Sequence, residues 1–116
     1  MNYLIILNDP PYGSERSYNG LRLANSLAKG ERTSVSVFLM GDAAACAAAG
    51  QITPNGYYSI ERMLKILASK GGKIGVCGTC MDARGLKPEA LANGAQRSSL
   101  EELTGWTREA DKVIVF

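Results

Sequence analysis

The feature that most restricts this chain is an alternation of two kinds of segment. Short apolar runs of strand length, at 3–7, 33–40, 73–76 and 113–116, are separated by longer stretches whose apolar residues recur at helical spacing. The first run, 3–7, is continuously apolar, the pattern of a strand covered on both faces, and the second is marked by β-branched residues followed by Phe38-Leu39-Met40. Strands of that kind, each followed by a helix, predict a parallel sheet with right-handed crossovers and helices on both faces. In such a sheet the loops leaving the carboxyl ends of the strands gather on one edge, where ligands bind. Residues 8–14, 41–42 and 77–85 all leave strands and are therefore expected on that edge.

Taken in order, residues 3–7 lead into Asn8-Asp9-Pro10-Pro11-Tyr12-Gly13, where two prolines and a glycine force a loop. Ser14 is placed to cap a helix over 15–28, with Gly20, Leu23, Ala24 and Leu27 on one side and Gly30 as its stop. After the second strand, Asp42 is a suitable N-cap for a helix over 43–49, almost all alanine and containing Cys46. Pro54 and Asn55-Gly56 mark a loop over 51–57, and Ser59 then caps a helix with Ile60, Met63, Leu64 and Leu67 on its apolar face. Gly71-Gly72 ends it, and 73–76 runs straight into Cys77. A short helix is expected over 87–92 and a short strand over 95–97. Ser98/Glu101 and Ser99/Glu102 are overlapping capping boxes for a last helix that turns Leu100, Leu103 and Trp106 inward.

Composition narrows the function classes. At 116 residues, 46% hydrophobic and 21% charged, the chain has the make-up of one soluble globular domain. A net charge of +2 without a Lys/Arg cluster points away from a nucleic-acid surface. No apolar stretch is long enough for a membrane span, and the N-terminal run reads as a strand rather than a signal peptide. The absence of histidine removes the usual general base and the commonest metal ligand. Three cysteines, an odd count, fit a reducing cytoplasm better than a secreted disulfide scaffold.

Reactive chemistry concentrates in Cys77-Gly78-Thr79-Cys80-Met81-Asp82-Ala83-Arg84-Gly85. Cys77 stands at a strand end in a loop rich in backbone N–H donors, and Gly78 lets backbone approach the sulfur. Arg84 is near enough in sequence to stabilise a thiolate or persulfide anion, and a thiolate there is a nucleophile toward another sulfur. The plainer reading is a buried cysteine acting as a small hydrophobe. Cys80 completes a C-x-x-C that can form a disulfide, resolve a persulfide or ligate a metal. A zinc site needs four ligands, and with no histidine and Cys46 read as core, no metal or cofactor is expected. The thioredoxin-type motif is disfavoured because no long helix is expected after the strand. Asp9, Tyr12, Gly13, Ser14, Asp42, Gly78, Thr79 and Asp82 are the candidates for lining a pocket beside the sulfurs. Against that, Asp9 to Ser14 reads equally as a turn with a helix cap, Asp42 as a cap, and Asp82 with Arg84 as an ion pair across a turn.

At these residues the chain resembles the DsrE/DsrF-like family, in its YchN-like branch. The matching pieces are Pro11-Tyr12-Gly13-Ser14-Glu15, Phe38-Leu39-Met40 with Asp42-Ala43, and Gly56-Tyr57 before Met63-Leu64. They continue through Cys77-x-Thr79-Cys80-x-Asp82-x-Arg84-Gly85 and Trp106-Thr107 to Ala110-Asp111-Lys112-Val113. The resemblance implies a three-layer α/β/α fold on a five-stranded, mainly parallel sheet. It implies a homo-oligomer, a trimer or hexamer, and partner proteins that donate and accept sulfur. It also implies a cytoplasmic persulfide carrier or sulfurtransferase whose acceptor falls at the strand end, here Cys77, with Arg84 as anion stabiliser. Cys80, which many sulfur-relay members lack, is either the resolving or second thiol or itself the acceptor. The alternative from another class is a non-catalytic oligomeric module that binds a small ligand or senses redox state.

Overall fold

The computed structural model describes residues 1–116. Its elements, in order, are β1 (Asn2–Leu7), α1 (Arg16–Leu27), β2 (Ser34–Leu39), a 3-10 segment (Gly41–Ala47), α2 (Ile60–Ser69) and β3 (Lys73–Cys77). They continue with α3 (Gly78–Ala83), a 3-10 turn (Pro88–Ala90), β4 (Ala95–Ser98), α4 (Leu100–Glu109) and β5 (Lys112–Val115). The five strands form one sheet in the order β4-β3-β2-β1-β5. Every neighbouring pair is parallel, so the sheet is parallel throughout. Register aligns Leu7 with Leu39, Leu39 with Val76, and Cys77 with Ser98, which brings these strand ends to one edge.

Alternation along the strands sorts side chains into two layers. Ile5, Leu7, Val37, Leu39 and Val76 face α1, α2 and the 3-10 segment, and pack with Leu21, Leu64 and Leu67 in the main core. Ser59 caps α2 by accepting the Arg62 N–H, and Ile60, Leu64 and Leu67 are fully buried. Burying each of those three contributes about 1.5–3 kcal/mol. Gly20 lets α1 lie close on β1, since a Cβ there would sit 2.5 Å from a Leu7 methyl carbon. The opposite face carries Leu4 and Phe38, covered by Leu103 of α4, with Ile6, Met40, Cys77 and Trp106 half-buried around them. Gly75 admits the indole there: a Cβ would meet Trp106 at 3.0 Å and Phe38 at 3.1 Å.

Several local expectations are corrected. The alanine segment is a 3-10 helix, not an α-helix, and Asp42 sits in its first turn without capping it. Its Ala43, Ala44, Cys46 and Ala47 are fully buried inside the chain. The segment ends where the backbone of 47–49 pairs with 90–92, through Ala49 N–H to the Ala90 carbonyl and Ala92 N–H to the Ala47 carbonyl. The same pairing holds 87–92 to a three-residue 3-10 turn. α1 begins at Arg16 with Glu15 at the N-cap and no cap from that side chain. The Ser14 hydroxyl donates to Asp9 at 2.6 Å while its oxygen accepts the Arg16 N–H at 3.3 Å, so Ser14 still serves the first turn as expected. At α4 only Ser99 caps, accepting the Glu102 N–H, while the Ser98 hydroxyl donates to the Glu102 carboxylate. Leu100 is not turned inward: it is 68% exposed. No helix is long and apolar enough to cross a membrane.

Candidate functional site

β3 is flanked by β2 and β4, so Cys77 at its end is placed by ladders on both sides. The stretch after it is not a loop. It turns at once into α3, with Cys77 at the N-cap and Cys80 in the first turn. Six residues are too few to show a helical period, and Gly78-Thr79 disguises the start. Cys77 packs toward the Phe38 face and Cys80 toward the main core, and their sulfurs meet between the layers.

The Cys80 thiol donates to the Cys77 sulfur at 2.7 Å, and the Thr79 hydroxyl lies 3.4 Å from it. Burial pushes the Cys77 thiol up, but the Cys80 thiol, the Thr79 hydroxyl and the backbone N–H groups of Cys80 and Thr79 outweigh it, so the group sits below its ordinary value. Cys80 goes the other way. Burial raises it, donating to Cys77 raises it further, and the Gly41 N–H at 3.1 Å and the Arg84 charge only partly oppose this. The two thiols are thus driven apart, Cys77 toward easier and Cys80 toward harder loss of its proton. Cys46 is different, fully buried and pushed by burial to about 11, with its thiol directed at the Asp9 carbonyl at 3.6 Å.

Asp82 and Arg84 do not pair with each other. Arg84 spans from α3 to the loop after β2, bonding Asp42 at 2.6 Å and the Cys80 carbonyl at 3.1 Å. Asp82 takes both guanidinium nitrogens of Arg97 on β4, at 2.8 and 3.0 Å. Gly78 makes room for that second pair: a Cβ would stand 2.9 Å from both the Arg97 guanidinium carbon and the Ser98 carbonyl oxygen.

The sulfurs open onto a groove of about 640 Å³ on the α4 face. Gly78 and Thr79 line it with Cys77 and Cys80, between a floor of Phe38, Met40 and Leu103 and a rim at Leu100. Asp9, Tyr12, Gly13 and Ser14 do not reach it. Asp9 is held by the Ser14 hydroxyl and by Arg16 at 3.8 Å. Tyr12 donates to Gln51 and accepts the Ile60 N–H at 3.0 Å, tying the first loop to α2. Asp42 and Asp82 also lie outside the lining and act on the site through their arginines. Met40, Arg97 and Leu100 belong to the groove, yet none is marked as a site residue by the sequence, where Met40 reads as a strand end and Leu100 as helix core; only the strand order puts β2 and β4 beside β3. The chain gathers no group of three or more Cys, Asp or Glu side chains suited to a metal ion.

Similarity to known proteins follows the same geometry. The chain is 40% identical over 114 residues to Protein YchN of Escherichia coli strain K12, covering 97% of each. It is 34% identical over 116 residues to the uncharacterized protein MJ0989 of Methanocaldococcus jannaschii, covering both fully. Its fold superposes on the crystal structure of the E. coli ychN protein with a TM-score of 0.90 at 39% identity, over 100% of both chains. The protein of unknown function MTH1491 from Methanobacterium thermoautotrophicum shares the fold alone, with a TM-score of 0.77 at 13% identity over 99% of this chain and 98% of that one. The DsrE/DsrF-like family model matches residues 1–116, and the chain belongs to that family.

Proposed function

We propose that the protein is a sulfur carrier that loads a persulfide on Cys77. One observation carries the reading: the Cys80 thiol donates to the Cys77 sulfur at 2.7 Å, which makes Cys77 the more readily ionised sulfur of the pair. In the loading step the Cys77 thiolate attacks the outer sulfur of a donor persulfide, R–S–SH. The new bond joins Cys77 to that sulfur, the R–S bond breaks, and the donor leaves as R–S⁻. Delivery is the same exchange in reverse, with the acceptor's thiolate taking the outer sulfur from Cys77. Where no acceptor comes, the Cys80 sulfur attacks the inner sulfur of the Cys77 persulfide as its proton passes to the departing sulfide; the S–S bond to the outer sulfur breaks, H₂S leaves and a Cys77–Cys80 disulfide remains. That disulfide requires a reducing partner, consistent with work in a reducing cytoplasm. Arg84 acts as a positioning residue, holding α3 against the Gly41-Asp42 loop, with its charge also favouring an anion at Cys80. Donor and acceptor are partner proteins or small thiols that enter along the groove.

Intact-protein mass spectrometry after incubation with a persulfide donor tests this. The expected result is a gain of ~32 Da, one sulfur atom, that Cys77→Ser abolishes. Native alkylation should label Cys77 well before buried Cys46. A wild-type chain that takes up no sulfur would favour the binding-module alternative.

A further inference from the structure

Four of the chain's five tyrosines stand together at the start of α2, away from the sulfurs. Tyr58 lies against both Tyr18 and Tyr57, with ring centroids 4.2 and 4.6 Å away and planes inclined by 29° and 25°. Tyr12 joins from the core side at 5.6 Å. Tyr57 ends the row and is 53% exposed. The row borders an open pocket of about 450 Å³ that shares no residue with the cysteine groove. That size lies within the ~300–1,000 Å³ of small-molecule sites.

The charges of this pocket are of one sign. Its lining includes Arg22 and Arg62 and no carboxylate. Neither arginine forms an ion pair anywhere in the chain. Arg22 lies 5.5 Å from the Tyr18 ring centroid and gives one nitrogen to Asn19, which leaves the remainder of its fork free. Met63 and Ile66 supply apolar surface beside the rings. The first N–H groups of α2 are already taken, by Tyr12, Gln51 and Ser59, so the helix end itself is not the anion site. What is left is a flat aromatic surface beside two uncompensated guanidinium groups. Rings stack on tyrosine faces irrespective of sequence identity, and guanidinium forks grip phosphate through paired N–H donors.

We propose that this pocket binds a small molecule joining a flat ring to an anionic group, of the nucleoside-phosphate class, with the ring on Tyr57 and the anion held by Arg22 and Arg62. The site is separate from the sulfur chemistry, so it stands or falls independently of Cys77.

Calorimetric titration of the full chain tests it, with adenosine monophosphate, guanosine monophosphate and flavin mononucleotide as probes, and adenosine and inorganic phosphate as their halves. At least one nucleotide should bind below about 1 mM, with each half weaker by about tenfold or more. Tyr57→Ala and Arg62→Gln, both at exposed positions, should each weaken that binding by about fivefold or more without lowering the melting temperature. Cys77→Ser should leave it unchanged. The proposal is overturned if no nucleotide binds, if phosphate alone binds as tightly, or if the two variants bind like wild type. It is equally overturned if Tyr57→Ala lowers the sedimenting mass, because the tyrosine row would then be a contact between copies of the chain.

Discussion

Arg97 on β4 and Asp82 on α3 form a two-bond ion pair that spans the turn carrying both cysteines. The fork of the guanidinium fixes the helix relative to the strand, which a single point charge would not do. Both side chains are exposed, so the pair has little effect on stability. It also bears weakly on Cys77, whose ionised form is the smallest of the influences that raise the Arg97 pKa, after Asp82. By reciprocity the Arg97 cation favours the Cys77 thiolate. Arg97→Gln should therefore raise the Cys77 pKa and slow its alkylation at neutral pH by roughly two- to threefold, with little change in melting temperature. Arg97→Lys, keeping charge but not the fork, should fall between. Alkylation rates measured against pH decide this; an unchanged profile in Arg97→Gln would remove Arg97 from the site.

Two glycines should respond in opposite ways to alanine. A Cβ at Gly78 would meet the Arg97 guanidinium and the Ser98 carbonyl at 2.9 Å, and the carbonyl belongs to backbone that cannot swing aside. Gly78→Ala should cost about 1–3 kcal/mol and displace the cysteine pair. Gly105, inside α4, has nothing within 4 Å of such a Cβ. Gly105→Ala should stabilise by about 0.5–1 kcal/mol through the unfolded chain and helix propensity. Urea midpoints of the two variants give the comparison.

That contrast also marks what the sequence discloses. The strands at 3–7, 33–40 and 73–76 are plain because 3–7 is apolar throughout, 33–40 is rich in β-branched residues and ends in Phe38-Leu39-Met40, and 73–76 is a short apolar run after Lys73. The edge that collects Asn8, Gly41 and Cys77 follows from parallel topology alone. α3 is hidden because six residues carry no period, and the alanine segment misleads because alanine favours α while its end is fixed by a backbone pairing with 90–92 that no local pattern announces. Asp82 and Arg84 sit two apart and invite a local pair, yet their partners Arg97 and Asp42 lie 15 and 42 residues away. Those separations are properties of strand order, which no local pattern encodes.

Buried Cys46 should leave a signature at alkaline pH. Its folded pKa is raised by burial from an ordinary 9.0 to about 11. The folded state therefore favours the protonated thiol, and that contribution is full below the unfolded pKa and is lost as pH rises through the folded one. Wild type should lose stability between about pH 9 and 11 from this group, and Cys46→Ala should not. The variant should start about 1 kcal/mol less stable at pH 7 from lost packing, with the gap narrowing as pH rises. Denaturant midpoints across that range would show it; parallel curves would contradict it.

Assembly is expected to cover the α4 side of the sheet. One helix of 10 residues lies over that face, and Leu100, Val113 and Val115 stay 68%, 41% and 62% exposed. The alanine segment, by contrast, is used up inside the chain. We propose that copies close a trimer, or a hexamer of two trimers, across α4 and β5, bringing a neighbour to the mouth of each Cys77 groove. Sedimentation should show that oligomer at micromolar concentration, and Val115→Glu should dissociate it while the monomer stays folded by circular dichroism. A wild-type monomer under those conditions would sink the proposal.

The last prediction separates the two sulfurs. Cys80 is not on a mobile loop; it is fixed in the first turn of α3, already within 2.7 Å of Cys77. It needs no conformational change to donate to the thiolate, nor to attack a persulfide formed there. These are distinct roles, and distinct substitutions part them. Cys80→Ser keeps a donor but removes the attacking sulfur, so the ~32 Da adduct on Cys77 should form and persist longer than in wild type. Cys80→Ala removes the donor as well. Its Cys77 pKa should rise, since the Cys80 thiol is the largest of the influences that lower it, and loading at neutral pH should slow. Time courses of the adduct in the two variants give both readings. Loss of the adduct in Cys80→Ser, with its retention in Cys77→Ser, would reverse the assignment and make Cys80 the carrier.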